Sequence, residues 1–266
     1  MPCTVDLVCI GNELLTGHTL NTNAHWLCKR LTELGAYVTR ISTVRDDMNQ
    51  MTSAIREAVR LRPDFIITTG GLGPTFDDRT LEALGRALNR AVRVNPQAMR
   101  LLKRHYARLR RNVAMTPPRI KMATIPAGTE ALPNPVGTAP GILAKTSSTR
   151  IFVLPGVPRE MEAIFENSVV PLVKKQATRE RFYEMSLRLS GLPESEIAPL
   201  IDRVMRRFPK VFVKSHPRGW ETKRRPLLEL QFQCWMHQEK SAKRLLASAM
   251  SLLLEDVARL QKYSWH

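Results

Sequence analysis

No stretch of the sequence approaches the roughly 18 consecutive apolar residues that a membrane-spanning helix needs. The N-terminus, MPCTVDLVCI, lacks the basic start and long apolar run of a secretory signal. Only four cysteines occur, Cys3, Cys9, Cys28 and Cys234. None forms a C-x-x-C pair, and no Cys/His cluster has zinc-finger spacing, which argues against a disulfide framework and a zinc module. They read as reduced thiols of a cytoplasmic protein core. Aromatic residues make up 6% of the chain, too few for a surface that stacks successive bases. Internal repeats and low-complexity segments are missing. So are the Walker pattern and the G-x-G-x-x-G dinucleotide fingerprint.

What is present describes a folded protein. The 266 residues are 43% hydrophobic and 24% charged, enough to bury a core without staples and to form one large and one small domain. The formal net charge of +17 admits nucleic acid or an anionic small molecule as partner. That charge is scattered, with one denser run, RLLKRHYARLRR, at Arg100 to Arg111.

Strand-like and helix-like segments alternate through the first half. Cys3 to Ile10, Ala36 to Val44 and Asp64 to Thr69 are short, apolar and rich in β-branched residues, so they read as strands. Asn21 to Leu34, Met48 to Leu61, Thr80 to Asn89 and Pro96 to Arg110 carry helical spacing. The Pro- and Gly-rich stretch MTPPRIKMATIPAGTEALPNPVGTAPG reads as loop with short extended pieces. Strands over Ile142 to Ala144 and Ile151 to Leu154 follow, then a helix from Arg159 to Val173. This alternation predicts an α/β fold with right-handed crossovers and a mostly parallel sheet. After KKQATRE the pattern restarts with strand Phe182 to Leu189 and helix Pro193 to Phe208. Strands Val211 to Lys214 and Leu227 to Gln233 then flank a polar turn, and helix Gln238 to Gln261 closes a small βαββα domain. The expected domains are 1–177 and 178–266.

Ligands of parallel α/β sheets bind beyond the carboxyl ends of the strands. There the sequence places Gly11-Asn12-Glu13-Leu14-Leu15-Thr16-Gly17, then Arg45, Asp46 and Asp47. TTGGLGPTFDDRT (Thr68 to Thr80) and Pro155-Gly156-Val157-Pro158-Arg159-Glu160 follow the other two strands. Gly70, Gly71 and Gly73 free backbone N–H groups to face an anion, and a helix beginning near Thr80 aims its positive end at the same place. Asp77 and Asp78 should repel that anion. They read either as first-turn acids stabilising the helix by about 0.3–1 kcal/mol, or as oxygen ligands of a divalent cation shared with phosphate. Glu13, Asp46 and Asp47 are candidates to join from neighbouring strand tips.

Four stretches in this order, GNELLTGHTLNTN (Gly11 to Asn23), TGGLGPTFDDRT (Thr69 to Thr80), LPNPVGTAPG (Leu132 to Gly141) and LPGVPREM (Leu154 to Met161), resemble the CinA-type branch of the molybdopterin-binding superfamily. That branch is also called competence/damage-inducible protein A, or nicotinamide-mononucleotide-deamidase-related. The resemblance extends through about Val173, and the βαββα unit is similar to the small domain that follows in the family. It implies a three-layer, MogA-like α/β domain and a cytoplasmic homo-oligomer, dimer or trimer. Full CinA proteins continue into a third domain with deamidase activity. This chain is expected to lack it, so deamidation is not carried over. The implied activity is metal-dependent hydrolysis of a nucleotide pyrophosphate such as ADP-ribose or an FAD-like dinucleotide, with magnesium or cobalt and possibly potassium as cofactors. The acid of the superfamily's Gly-Gly-x-Gly…Asp-x-Thr motif lies at the nucleotide and metal, and here that position is Asp78.

The residues suit that chemistry. Gly70, Gly71, Gly73, Pro74 and Thr75 are assigned to the phosphates, with Gly11 and Asn12 from the first strand tip. Asp78 and Asp77 are assigned to the metal, and Asp78 and Glu13 to catalysis, Glu13 as a second metal contact or a positioner of water. Asn134, Pro135, Gly137 and Thr138 are expected to cover the nucleotide, with Gly156 and Pro158 as the opposing wall. Arg119 and Lys121 either neutralise phosphate or sit solvated on the surface. His18 and His25 read as structural, Asn21 and Asn23 as helix caps, and Trp26 as core.

Two rival functions remain. One is molybdopterin binding or adenylylation in molybdenum cofactor biosynthesis, which shares the fold and loops; GNELLTG and NPVGTAPG favour the pyrophosphatase. The other is a nucleic-acid-binding module resting on the net charge and the Arg100 to Arg111 run. Sparse aromatics make nucleic acid the less favoured partner, and no membrane partner is expected.

Overall fold

The computed structural model describes residues 3–108, 113–177, 180–218 and 227–263. The end of the predicted basic helix at 109–111, the predicted domain boundary at 177/178 and most of the predicted polar turn, 219–226, fall wholly or partly outside them. Two compact units are present, Met1–Thr178 and Arg179–His266.

The first unit opens with β1 (Cys3–Ile10), α1 (Asn12–Leu15), α2 (Thr22–Glu33), β2 (Ala36–Val44), α3 (Met48–Arg60) and β3 (Phe65–Thr69). There follow α4 (Thr80–Leu88), β4 (Val92–Val94), α5 (Pro96–Arg108), α6 (Pro117–Lys121), β5 (Thr124–Pro126) and β6 (Glu130–Leu132). It closes with β7 (Gly141–Lys145), β8 (Arg150–Leu154), α7 (Pro158–Ile164) and α8 (Val170–Gln176). Six strands form one sheet in the order β2-β1-β3-β8-β7-β6. The pairs β1–β2, β1–β3 and β3–β8 are parallel, and β7–β8 and β6–β7 antiparallel.

Strands covered on both faces must be apolar throughout. All five residues of β3 (FIITT) are buried. In β1 the buried exception is Asp6, whose Oδ2 pairs with Arg40 Nε at 3.2 Å. Leu27 and Leu31 of α2 pack on one sheet face with Met161, Ile164 and Phe165. Met51 and Ile55 of α3, Leu84 of α4 and Leu102 of α5 pack on the other. The result is three layers, helix on sheet on helix. Each such buried side chain contributes about 1.5–3 kcal/mol. Local signals set the helix starts: Asn21 Oδ1 accepts from Ala24 N–H, and Asp47 Oδ1 from the Asn49 and Gln50 N–H groups.

Some local expectations differ. GNELL holds the four-residue turn α1 rather than loop, and the Pro-rich stretch contains α6, which Pro117 and Pro118 start at positions where no N–H is needed. β4 pairs antiparallel with β5; three residues are too few for a periodicity to be read. The predicted continuous helix after β8 is interrupted by a π-helical turn, Phe165–Val169. Pro171, just beyond, removes an N–H from the helical ladder, and Asn167 Nδ2 takes up the Ala163 carbonyl at 2.9 Å.

The second unit comprises β9 (Arg181–Ser190), α9 (Glu194–Arg207), β10 (Phe212–Pro217), β11 (Leu227–Met236) and α10 (Glu239–Tyr263). Its sheet runs β10-β11-β9, antiparallel throughout. Ile197 and Val204 of α9 and Leu246 and Leu253 of α10 bury Leu230 and Phe232 of β11. This is the predicted βαββα arrangement.

Candidate functional site

Because β2, β1, β3 and β8 run parallel, the loops after all four emerge at one edge of the sheet. They are laced together there. Gly11 N–H donates to Val44 O at 3.1 Å and Gly70 N–H to Leu154 O at 3.0 Å. Asn12 N–H donates to Asp46 Oδ2 at 2.8 Å, and Asn23 Nδ2 to Gly156 O at 2.8 Å.

Cavities lie along this edge. One of about 440 Å³ is lined by Gly71, Gly73, Asp78, Thr138, Gly156 and Glu160, with Pro74 and Tyr106 beside them. A cleft of about 100 Å³ holds Glu13, Asn21, Asn23 and Pro158 and shares Gly156 with the first. Another of about 240 Å³ holds Arg104, His105, Arg108, Asn134 and Pro135 and shares Thr138 with the first.

The glycine loop is narrower as an anion cradle than its sequence implies. Gly70 spends its N–H on Leu154, and its role is conformational: its φ is +104°, and a Cβ there would overlap the Ile10 carbonyl oxygen. Gly11 and Asn12 have likewise spent their N–H groups inside the fold, and so has Thr75, which donates to Asp78 Oδ2 at 2.9 Å. The N–H groups of Gly71, Leu72 and Gly73 make no hydrogen bond among the described residues. They lie on the wall of the 440 Å³ cavity. α4 follows, its Thr80 N–H bonded to Gly71 O at 3.3 Å.

The acids separate into distinct roles. Asp78 is half-buried and lines the cavity, whereas Asp77 is exposed. The Thr75 hydroxyl reaches both Asp77 Oδ1 and Asp78 Oδ2. That bond holds the Asp77 carboxyl below the usual carboxylate range. Asp46 is occupied by Asn12 and Asp47 by the start of α3. Glu13 is exposed, turns back toward Gly11, and lines the smaller cleft rather than the cavity of Asp78. Among the described residues no three His, Cys, Asp or Glu side chains converge as a metal cage. Among the described residues, Glu13, Asp46 and Asp47 therefore do not group with Asp77 and Asp78 as candidate ligands.

The loop after β6 is organised by Asn134. Its Nδ2 donates to Ala139 O at 2.8 Å and to Glu160 Oε2 at 2.6 Å, while its Oδ1 accepts from Gly137 N at 2.8 Å and Val136 N at 3.2 Å. With both ends of the amide engaged, Asn134 shapes the loop. Gly137 has no N–H left to offer, and Thr138 and Ala139 are the loop residues that line the 440 Å³ cavity. Lys121 Nζ donates to Thr75 O, and the Arg119 guanidinium stacks 5.0 Å from the Tyr106 ring centre. Both therefore brace the cavity surroundings. His18 and His25 are exposed and line none of these cavities. Trp26 meets Phe165 edge-on at 5.4 Å, half-buried against the core instead of inside it.

Sequence reasoning assigned no role to Glu160 or Tyr106, and read Arg104, His105 and Arg108 only as part of the basic run Arg100 to Arg111. Glu160 stood inside LPGVPREM, one of the recognised motifs. The α5 cations carried a signal of their own: PQAMRLLKRHYAR contains no acid.

A family model described as a probable molybdopterin binding domain matches residues 6–175. A curated protein of Pyrobaculum aerophilum is 46% identical over 249 residues, covering 94% of this chain and 92% of that one. One from Sulfurisphaera tokodaii is 40% identical over 250 residues, covering 94% and 93%. The crystal structure of the protein CinA from Thermoplasma acidophilum is 36% identical with a TM-score of 0.60, covering 64% of this chain and 98% of that one.

Proposed function

Given that the chain belongs to the probable molybdopterin binding domain family, we propose that its first unit binds a phosphorylated heterocycle in the 440 Å³ cavity and hydrolyses a nucleotide pyrophosphate, of the ADP-ribose or FAD type, with a divalent cation. The observation that carries this reading is the meeting, in one cavity, of the unspent N–H groups of Gly71, Leu72 and Gly73 with the Asp78 carboxylate. The amides favour phosphate and the carboxylate repels it. The two are compatible when a cation lies between carboxylate and phosphate.

The donor set fits such an ion. Magnesium takes one or two carboxylates and completes its shell with phosphate oxygens and water. Asp78, Asp77 and the Thr75 hydroxyl offer oxygens around one point, and a closed protein cage is not needed. When bound, the ion would neutralise charge on the phosphoryl group and polarise the attacking water. The chain's own groups do the rest. The Gly71 to Gly73 amides hold phosphate oxygens as negative charge accumulates on them, and the N-terminal end of α4 adds its dipole. Glu160, fixed by Asn134, is placed to accept an N–H from the edge of a purine or pterin ring.

The test is a substrate panel of ADP-ribose, FAD, NAD, and pterin with ATP, each with magnesium or cobalt, followed by chromatography. The expected result is AMP from ADP-ribose, abolished by EDTA and by Asp78→Asn. No product from any phosphoanhydride overturns hydrolysis. A second reading, molybdopterin binding or adenylylation, is favoured by the family match itself, and adenylylated pterin in the same panel would select it.

A further inference from the structure

The cavity of about 240 Å³ beside the proposed nucleotide pocket is unlike its neighbours in charge. Arg104, His105 and Arg108 of α5 line it together with Asn134, Gly137 and Thr138, and no acid lines it among the described residues. Arg104 and Arg108 are four residues apart, so they lie on one face of the helix, where like charges repel. Among the described residues neither has an acidic partner. One cation in a last helical turn would satisfy the helix dipole; two arginines and a histidine turned on a polar cavity exceed that need. Guanidinium forks match the oxygens of a phosphate group. Thr138 lies on the wall of both this cavity and the 440 Å³ one, so a single elongated ligand reaches both.

We propose that this cavity is a second anion subsite, taking a phosphomonoester group that the ligand carries in addition to the phosphate held at Gly71 to Gly73. The part of this inference that concerns one elongated ligand rests on the nucleotide reading of the larger cavity; the arginine subsite itself does not. The shared chemistry is phosphate, whether free or attached to a ligand.

Inorganic phosphate titrated calorimetrically into the AMP-saturated protein reads the subsite directly, because AMP occupies the glycine loop. One phosphate per chain is expected, weakened about tenfold or more in Arg104→Gln/Arg108→Gln, while AMP affinity is unchanged. Both arginines are exposed, and an unchanged melting temperature verifies the fold. Failure of phosphate to bind the AMP-saturated protein, or equal binding to the variant, overturns the subsite. So does an AMP affinity that falls with the arginines, which would put the nucleotide's own phosphate there. If AMP does not bind but phosphate binds in an arginine-dependent way, the subsite stands and the nucleotide reading falls. A single-stranded oligonucleotide that displaces the phosphate and spans many residues per chain would overturn the subsite in favour of a polynucleotide surface.

Discussion

Gly73 and Asp78 face each other across the turn of the glycine loop so closely that a Cβ on Gly73 would lie 2.5 Å from Asp78 Oδ2. The glycine is what leaves room for the carboxylate at the cavity wall. In Gly73→Ala the carboxylate must move, while the methyl group adds little apolar surface. Pyrophosphate hydrolysis should fall about a hundredfold, the usual cost of misplacing a reacting group by about 1 Å. Stability should change by no more than about 1 kcal/mol. Steady-state kinetics beside urea denaturation separates the two; full activity in Gly73→Ala would remove Asp78 from the reaction.

Asn134 closes the loop after β6 on itself with three hydrogen bonds and ties it to Glu160 at the start of α7 with a fourth. Asn134→Ala should cost about 1–3 kcal/mol, as a half-buried network loses its centre. It should also weaken nucleotide binding, because Thr138 and Glu160 are released together. Ligand affinity unchanged in a destabilised variant would show that the loop has no part in binding.

The four parallel strands and their tips were legible because their signals are local: β-branched runs of five to nine residues, followed by glycine, by proline or by Arg45-Asp46-Asp47. The glycine cradle was legible as a place but not as a set of donors. Which N–H groups remain unspent depends on Leu154, Val44 and Asp46, partners 33 to 84 residues away in the chain. How the acids group depends on contacts of the same kind. Glu13, Asp46 and Asp78 share the sheet edge, but α1 turns Glu13 back on Gly11 and Asn12 claims Asp46. The α5 cavity was missed because its two halves, the basic run at 101–108 and the loop at 133–140, are distant in sequence, and nothing local shows that they meet.

Burial pushes the Cys3 thiol up to about 12, with the Asp64 carboxylate adding to the effect, and burial also raises Cys28 and Cys234. A raised thiol pKa keeps the unreactive protonated form, so roughly one Cys3 in 10⁴ is thiolate at pH 8. An aromatic disulfide reagent at pH 8 should therefore label the native protein far more slowly than the unfolded one, with all four thiols reacting in denaturant. Rapid native-state labelling that maps to Cys3 would contradict its placement.

Arg30 of α2 grips Glu166 of the π-helical turn with two donors, Nε to Oε1 at 2.5 Å and Nη2 to Oε2 at 3.0 Å. The Arg30 hydrogen bond holds the Glu166 carboxyl below its ordinary range, against a smaller opposing effect of burial. A carboxylate whose folded pKa is depressed adds stability above its unfolded value and loses it as pH falls through the folded one. The contribution should be full at pH 7 and fade below about pH 4.5. The Glu166 side chain is 40% exposed, so solvent screening limits the pair to about 1 kcal/mol or less. Glu166→Gln should accordingly lower the melting temperature by no more than about 4 °C at pH 7, and the difference from wild type should shrink as pH falls below about 4.5. Urea midpoints at pH 7, 5 and 3.5 give the same comparison without heating. A difference that stays constant with pH would mean that packing of α2 on the π-helical turn, and not the ion pair, sets the effect of the substitution.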